Sequence, residues 1–157
     1  MNFSTDILGL FDKQWALVTA GDITDFNTMT ISWGGMGTLW SKPVATVYVK
    51  PVRYTHEFME ANDYFTISFF DEKYRDALAL LGSKSGRDCN KVEESHLTPV
   101  RIGENIVGFV QAAHTLVCRK IYSQELDLAP MPEAVRERYY ETEAPHTMYI
   151  GEIVGIG

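Results

Sequence analysis

The chain has 157 residues, enough for one compact domain over 1–157 whose core needs no disulfide or structural metal to hold it. Fourteen Lys and Arg against 21 Asp and Glu give a net charge of -7, which argues against a general nucleic-acid binder, because a phosphate backbone requires a positive field. A hydrophobic fraction of 45% with 22% charged residues is ordinary for a globular chain, and no apolar run approaches the roughly 18 residues that a membrane-spanning helix needs.

Met1 to Gln14 has no basic region before its apolar residues and carries Asp6 and Asp12, unlike a secretory leader. Cys89 and Cys118 lack a CxxC spacing, so free thiols in a reducing, cytoplasmic setting are expected. Trp15 to Gly21 reads as a strand ending in a Gly-Asp turn. Asn27 to Trp33 alternates Met29, Ile31 and Trp33 against Thr28, Thr30 and Ser32, a second strand with one polar face. The run Gly34-Gly35-Met36-Gly37 reads as a bend, and Pro43 to Lys50 as a third strand.

After Pro51, the residues Tyr54, Phe58 and Ala61 recur at helical spacing, predicting a short helix that stops near Asn62. Tyr64 to Phe70 predicts a strand, and Lys73 to Leu81 a helix ending at Gly82. Ser83 to Ser95 reads as a polar loop with a helical turn. Pro99–Ile102 and Ile106–Phe109 read as a hairpin, Ala112 to Ser123 as a long strand, Pro132 to Tyr140 as a short helix, and Thr147 to Ile156 as a closing strand. Short strands with helices inserted between them favour a mainly β fold, an antiparallel barrel decorated by helices, over a doubly wound sheet.

Familiar catalytic motifs are excluded one by one. Gly37 is followed by Thr38-Leu39-Trp40, so there is no P-loop, and the glycine run lacks the GxGxxG of a dinucleotide fold. His56-Glu57 has Glu60 where a zinc protease needs its second histidine, and Gly82-Ser83-Lys84-Ser85-Gly86 puts Lys84 at the centre of what would be a nucleophile elbow. Cys89 stands near Arg87 and Lys91, but an idle cysteine is the commoner case.

The residues that point to a ligand are Asn27, Thr28, Met29, Thr30, Ile31 and Ser32 on one strand, with Lys50 through Thr55 at the following helix start. The strand would line one face with hydroxyls. The helix start would add free backbone N–H groups, the positive end of a dipole and an Arg53 guanidinium able to fork onto a phosphate. The same residues also describe a solvated strand face beside surface cations. Trp33, Trp40, Tyr48 and Tyr54 flank the region, as walls for a planar ring or as core packing.

Over most of its length the chain resembles the flavin-reductase-like, FMN-binding split-barrel family, particularly its flavoredoxin-type members. The resemblance lies in Asn27 through Gly34, Lys42-Pro43-Val44-Ala45, Pro51 through Phe58, Asn62 through Phe69, Ser85-Gly86-Arg87-Asp88 with Lys91, and His146 through Ile153, all in family order. It implies a six-stranded Greek-key split β-barrel, a homodimer, and non-covalent FMN near the subunit interface. It also implies that Asn27, Thr28, Met29, Thr30, Ser32 and Trp33 approach the flavin, with Arg53, Tyr54 and Thr55 on its phosphate. Lys50 is a further expected contact, and Ser85, Arg87 and Lys91 form a second contributing segment.

Two departures stand out: Lys50 sits where many relatives have Arg, and Asn90 where an acidic residue is common. The expected activity is electron transfer from NAD(P)H through flavin to an acceptor, without a catalytic acid or base from the protein. The alternatives are a flavoredoxin-type carrier reduced by a redox partner protein, or a non-catalytic flavin-binding barrel. No metal, nucleic acid or membrane is expected as a partner.

Overall fold

The computed structural model describes residues 5–157. Its nine strands are β1 (Ala16–Asp22), β2 (Asp25–Ile31), β3 (Gly34–Leu39), β4 (Lys42–Val49), β5 (Tyr64–Phe69), β6 (Pro99–Gly103), β7 (Ile106–Phe109), β8 (His114–Glu125) and β9 (Thr147–Ile156). Helices α1 (Ile7–Gly9), α2 (Tyr54–Ala61), α3 (Arg75–Ser83), α4 (Lys91–Ser95) and α5 (Glu133–Tyr139) are inserted between or before them.

Seven strands form one antiparallel sheet in the order β2-β1-β5-β8-β9-β4-β3, while β6 and β7 make a separate hairpin. The non-sequential neighbours β1 with β5 and β4 with β9 provide the Greek-key crossovers. The expected six strands become seven because the run from Gly34 is itself a strand, not a bend, paired along its length with β4. Glycine tolerates extended backbone, and β3 lies at the sheet edge, where missing side chains leave few packing contacts unmade.

One face of the sheet is a continuous apolar lining. Ala16, Val18 and Ala20 of β1, Met29 and Ile31 of β2, Ala45, Val47 and Val49 of β4, and Phe65, Ile67 and Phe69 of β5 meet Leu116, Cys118, Tyr149 and Ile153 in a single core. The two-residue periodicity of a strand puts these positions on one side. Strands from both ends of the sheet share this core, so the sheet coils around it, yet β2 and β3 remain unpaired with each other. Each buried large aliphatic or aromatic side chain here stabilises the fold by about 1.5–3 kcal/mol. A helical segment ahead of β1, which the sequence pattern does not announce, delivers Phe11 to the core, its ring 5.5 Å from that of Phe69. Gly34 makes room for it, since a Cβ there would stand 2.7 Å from the Phe11 ring.

The opposite face of β1 and β5 is covered by α3, α4 and the β6–β7 hairpin. Leu17, Phe70, Leu78, Leu81, Leu97 and Phe109 form that second core. Polar residues caught beneath the cover find partners. Thr66 donates to the Val107 carbonyl at 2.7 Å, and Ser68 and Thr115 share a hydrogen bond at 3.2 Å. α3 runs past Gly82 to Ser83, its last turn closed by the Lys84 N–H on the Leu80 carbonyl. Among the described residues, no helix is long and apolar enough to cross a membrane, and no three His, Cys, Asp or Glu side chains converge as a metal set would.

Candidate anion and ring site

The site lies where β2, the start of α2 and the α3–α4 connection meet. Asn27 of β2 is buried and donates its Nδ2 to Thr55 Oγ1 at 2.8 Å, fastening the strand to the first turn of α2. Thr55 accepts there, which leaves its own hydroxyl proton to donate elsewhere. Arg53 is the N-cap residue and places no capping side chain on the helix; its carbonyl accepts the His56 N–H at 3.0 Å, while no side chain caps the Tyr54 and Thr55 N–H groups. Its guanidinium is half-buried and touches the Gly82 carbonyl at 3.3 Å.

Lys91 approaches from the other side. It is only 3% exposed, although it opens a helix as a charged residue, and its Nζ donates to the Leu81 and Lys84 carbonyls at 3.0 Å each. An ammonium has three protons, so one donor is left over. Among the described residues, neither Arg53 nor Lys91 forms an ion pair with a carboxylate; the carboxylates nearby go instead to Lys84, Arg87 and Lys50. Burial lowers the Arg53 pKa, and burial together with the Arg53 charge pushes the Lys91 ammonium down to about 8. A buried and a half-buried cation side by side with no anion between them are unfavourable, and a negative charge placed there would relieve them.

Both side chains line a cavity of about 160 Å³, with Tyr54, Thr55, Asn27 and the Ser83–Gly86 loop completing its wall. Gly86 passes so close that a Cβ would come within 2.2 Å of Asn27 Oδ1 and 3.1 Å of the Tyr54 ring. Ser83 also borders a second cavity of about 390 Å³, lined by Trp15, Thr30, Ser32, Leu78 and Gly82. Trp15 has φ 67°, an uncommon conformation for a bulky residue, and its ring is held with the Arg75 guanidinium carbon 3.4 Å away. Trp15 is not among the site residues the sequence points to, whereas Gly86 falls within the Ser85 to Lys91 segment that the family resemblance marks. The uncommon φ of Trp15 has no signature in residue type, whereas glycine is the residue a close backbone approach such as that of Gly86 calls for.

The expected residues separate into groups. Asn27, Arg53, Tyr54, Thr55, Ser85 and Lys91 surround the small cavity, while Thr30 and Ser32 line the adjoining one. Arg87 lies at the rim, paired with Glu57 and over the Tyr54 ring at 4.8 Å. The single hydroxyl face does not exist as drawn. Thr28 is fully buried on Thr19 Oγ1 and the Val18 carbonyl, Thr30 donates to the Leu78 carbonyl, and β2 ends before Ser32. Met29 turns its side chain into the core, leaving only its backbone toward the site. Lys50 does not join the cations either; it pairs with Glu143 and faces the Tyr140 ring at 5.9 Å. Trp33 is 45% exposed and packs on Tyr139 and His146 at 5.2 and 5.3 Å, beside a 2.7 Å bond between Tyr140 and His146 Nδ1. Burial pushes His146 down to about 4, so that ring is neutral at physiological pH.

The Lys91 pKa has a measurable consequence. A dianion binds the ammonium form, so phosphate-monoester affinity is expected to fall as pH rises through about 8, by up to tenfold per pH unit. Above about pH 7.5 the monoester is already a dianion, so the ligand does not contribute to the slope. Titrations from about pH 7.5 to about 9.5 check this, and a flat profile contradicts it. For the folded protein alone the sign is opposite. Between about 8 and 10.5 the unfolded chain retains a proton that folded Lys91 has released, so this residue's contribution to stability rises with pH.

Residues 8–157 match the flavin reductase like domain family. A search of curated proteins finds no match. Among solved structures, flavoredoxin of Desulfovibrio vulgaris (Miyazaki F) aligns at TM-score 0.71 and 21% identity, over 100% of this chain and 76% of that one. An FMN-binding protein from Thermus thermophilus with bound 1-cyclohex-2-enone aligns at 0.70 and 17% identity, over 100% and 78%. A Streptomyces globisporus NADH:FAD oxidoreductase aligns at 0.69 and 14% identity, over 92% and 75%.

Proposed function

Because this chain belongs to the flavin reductase-like domain family, we propose that it binds FMN without a covalent link and works as an oxidoreductase of the flavin-reductase type, with NADH or NADPH as donor. The observation that carries this reading is the pair of buried Lys91 and half-buried Arg53, without a carboxylate partner, on a cavity wide enough for a phosphate group. The donor set fits a phosphate monoester. Two cations match its double charge, and the Tyr54 and Thr55 N–H groups at the start of α2 with the Thr55 hydroxyl supply neutral donors.

Bound FMN supplies the ring that takes up a hydride and passes electrons on. The protein's part is placement. Arg53, Lys91 and Thr55 hold the phosphate end; Asn27 keeps β2 and α2 in register through its bond to Thr55. Thr30, Ser32 and the Trp15 ring border the adjoining cavity, where a planar group is kept from water on one side and left open on the other for a nicotinamide. The exposed Trp33, Trp40 and Tyr122 are consistent with a second copy covering part of this surface as a homodimer. Two free cysteines accord with a reducing, cytoplasmic setting.

Anaerobic mixing of the FMN-loaded protein with NADH and, separately, NADPH tests the activity. Bleaching of flavin absorbance within the mixing experiment is the expected result. A flavin reduced by dithionite but by neither nicotinamide supports the carrier reading, which the likeness to flavoredoxin favours, and overturns the reductase.

A further inference from the structure

The chain changes from helix to strand at a single residue. The helical segment ahead of β1 ends at Gln14, β1 starts at Ala16, and Trp15 between them has φ 67° and ψ 169°, a region that glycine adopts readily and other residues avoid. A bulky residue in that conformation needs contacts elsewhere to hold it. Arg75, the first residue of α3, supplies two. Its guanidinium carbon lies 3.4 Å from the centre of the Trp15 ring, and its Nη1 donates to the Lys13 carbonyl, two residues before Trp15. One side chain thus fixes both the ring and the backbone that carries it.

Trp15 is half-buried and borders the cavity lined by Thr30, Ser32 and Gly82, whereas Arg75 does not line that cavity and meets it only through the indole. Among the described residues no carboxylate forms an ion pair with Arg75. Asp71 and Glu72 border a neighbouring cavity with it but leave it unpaired, and Asp12 goes to Lys13. We infer that Arg75 is a positioning residue for the ring site: it locks Trp15 in place as a wall of the cavity, and its charge, one indole away, favours the reduced flavin over the oxidised one. A ring that accepts a hydride takes up two electrons and one proton and gains one negative charge, so a cation nearby stabilises that form. The inference rests on the flavin-binding reading above and concerns only how the ring end is held.

Arg75→Met keeps the apolar stem and removes the guanidinium. Trp33→Phe/Trp40→Phe leaves Trp15 as the sole tryptophan, and in that protein without ligand Arg75→Met is expected to raise acrylamide quenching of its fluorescence at least about twofold. In the otherwise wild-type chain, Arg75→Met is expected to weaken FMN binding at least about fivefold. The preference for reduced over oxidised FMN should fall by about fivefold as well, a midpoint potential about 20 mV lower. Arg75→Lys keeps the charge without the planar stack, so it should restore the potential but not the affinity. With Trp15→Leu already in place, Arg75→Met should change the FMN dissociation constant by less than about twofold. Where Arg75→Met does not fold, Arg75→Gln carries the same comparisons. Unchanged quenching, or a freed Trp15 with FMN affinity and potential as in wild type, overturns the inference and leaves the phosphate site standing. An affinity loss that persists undiminished beside Trp15→Leu also overturns it, because Arg75 would then act on the fold and not through the indole. Failure of wild-type protein to bind FMN at all removes the flavin reading itself, and the inference with it.

Discussion

Replacing Arg53 with alanine is expected to weaken FMN binding by about 100-fold or more, equivalent to roughly 2.7 kcal/mol. The size follows from what the side chain does. Its guanidinium is half-buried, so its bonds to a phosphate are charge-assisted and poorly screened, and deleting one partner of such a pair costs about 3–5 kcal/mol. Within the protein the Arg53 guanidinium donates to the Gly82 carbonyl at 3.3 Å and repels Lys91. Thermal stability without ligand should therefore change little. Arg53→Lys keeps the charge and loses the fork, and its affinity should fall between the two. Isothermal titration of the three proteins checks this; equal dissociation constants would remove Arg53 from the site.

Gly86→Ala is the second large effect. The new methyl would sit 2.2 Å from Asn27 Oδ1 and 3.1 Å from the Tyr54 ring. Asn27 cannot swing aside freely, because its carboxamide is buried and bonded to Thr55 at 2.8 Å. The loop must lift instead, taking the Ser83–Gly86 wall of the phosphate cavity with it. A loss of about 1–3 kcal/mol in stability is expected from overpacking, with FMN affinity down by at least about tenfold. Shortening the obstructing side chain in Asn27→Ser/Gly86→Ala should recover stability but not full affinity, since the strand-to-helix tie is also weakened. A double-mutant cycle on thermal unfolding measures this coupling. Additive effects would show that the two residues do not meet.

The periodic elements were legible in the sequence because their pattern is what packing requires. Val44, Val47 and Val49 announced β4, and Tyr54, Phe58 and Ala61 announced α2, within a residue or two of their observed ends. β3 was hidden because its glycines carry no alternating pattern; its pairing with β4 decides its conformation. The helical segment before β1 was hidden for a related reason. It consists of short pieces, with Asp6 capping the Gly9 N–H, and its Phe11 finds its use only when the coiled sheet presents a gap.

At the site, residue types indicated Arg53 and Thr55 but not which hydroxyls were free. Thr28 has the residue type of a donor to ligand, but the neighbouring strand β1 consumes it in bonds to Thr19 and the Val18 carbonyl. Lys50 and Lys91 looked alike in the sequence, two lysines near a candidate site. The fold sends the first to Glu143 and buries the second on two carbonyls. Only tertiary structure distinguishes a solvated lysine from a desolvated one, and the proposed anion site rests on that distinction.

The most direct test of that claim compares FMN with riboflavin, which differ by the phosphate alone, on the same wild-type protein near neutral pH. If Arg53 and Lys91 hold the phosphate, FMN binds at least about 100-fold more tightly than riboflavin. Equal affinities would contradict the account, because the buried cations would then have no part in holding the flavin.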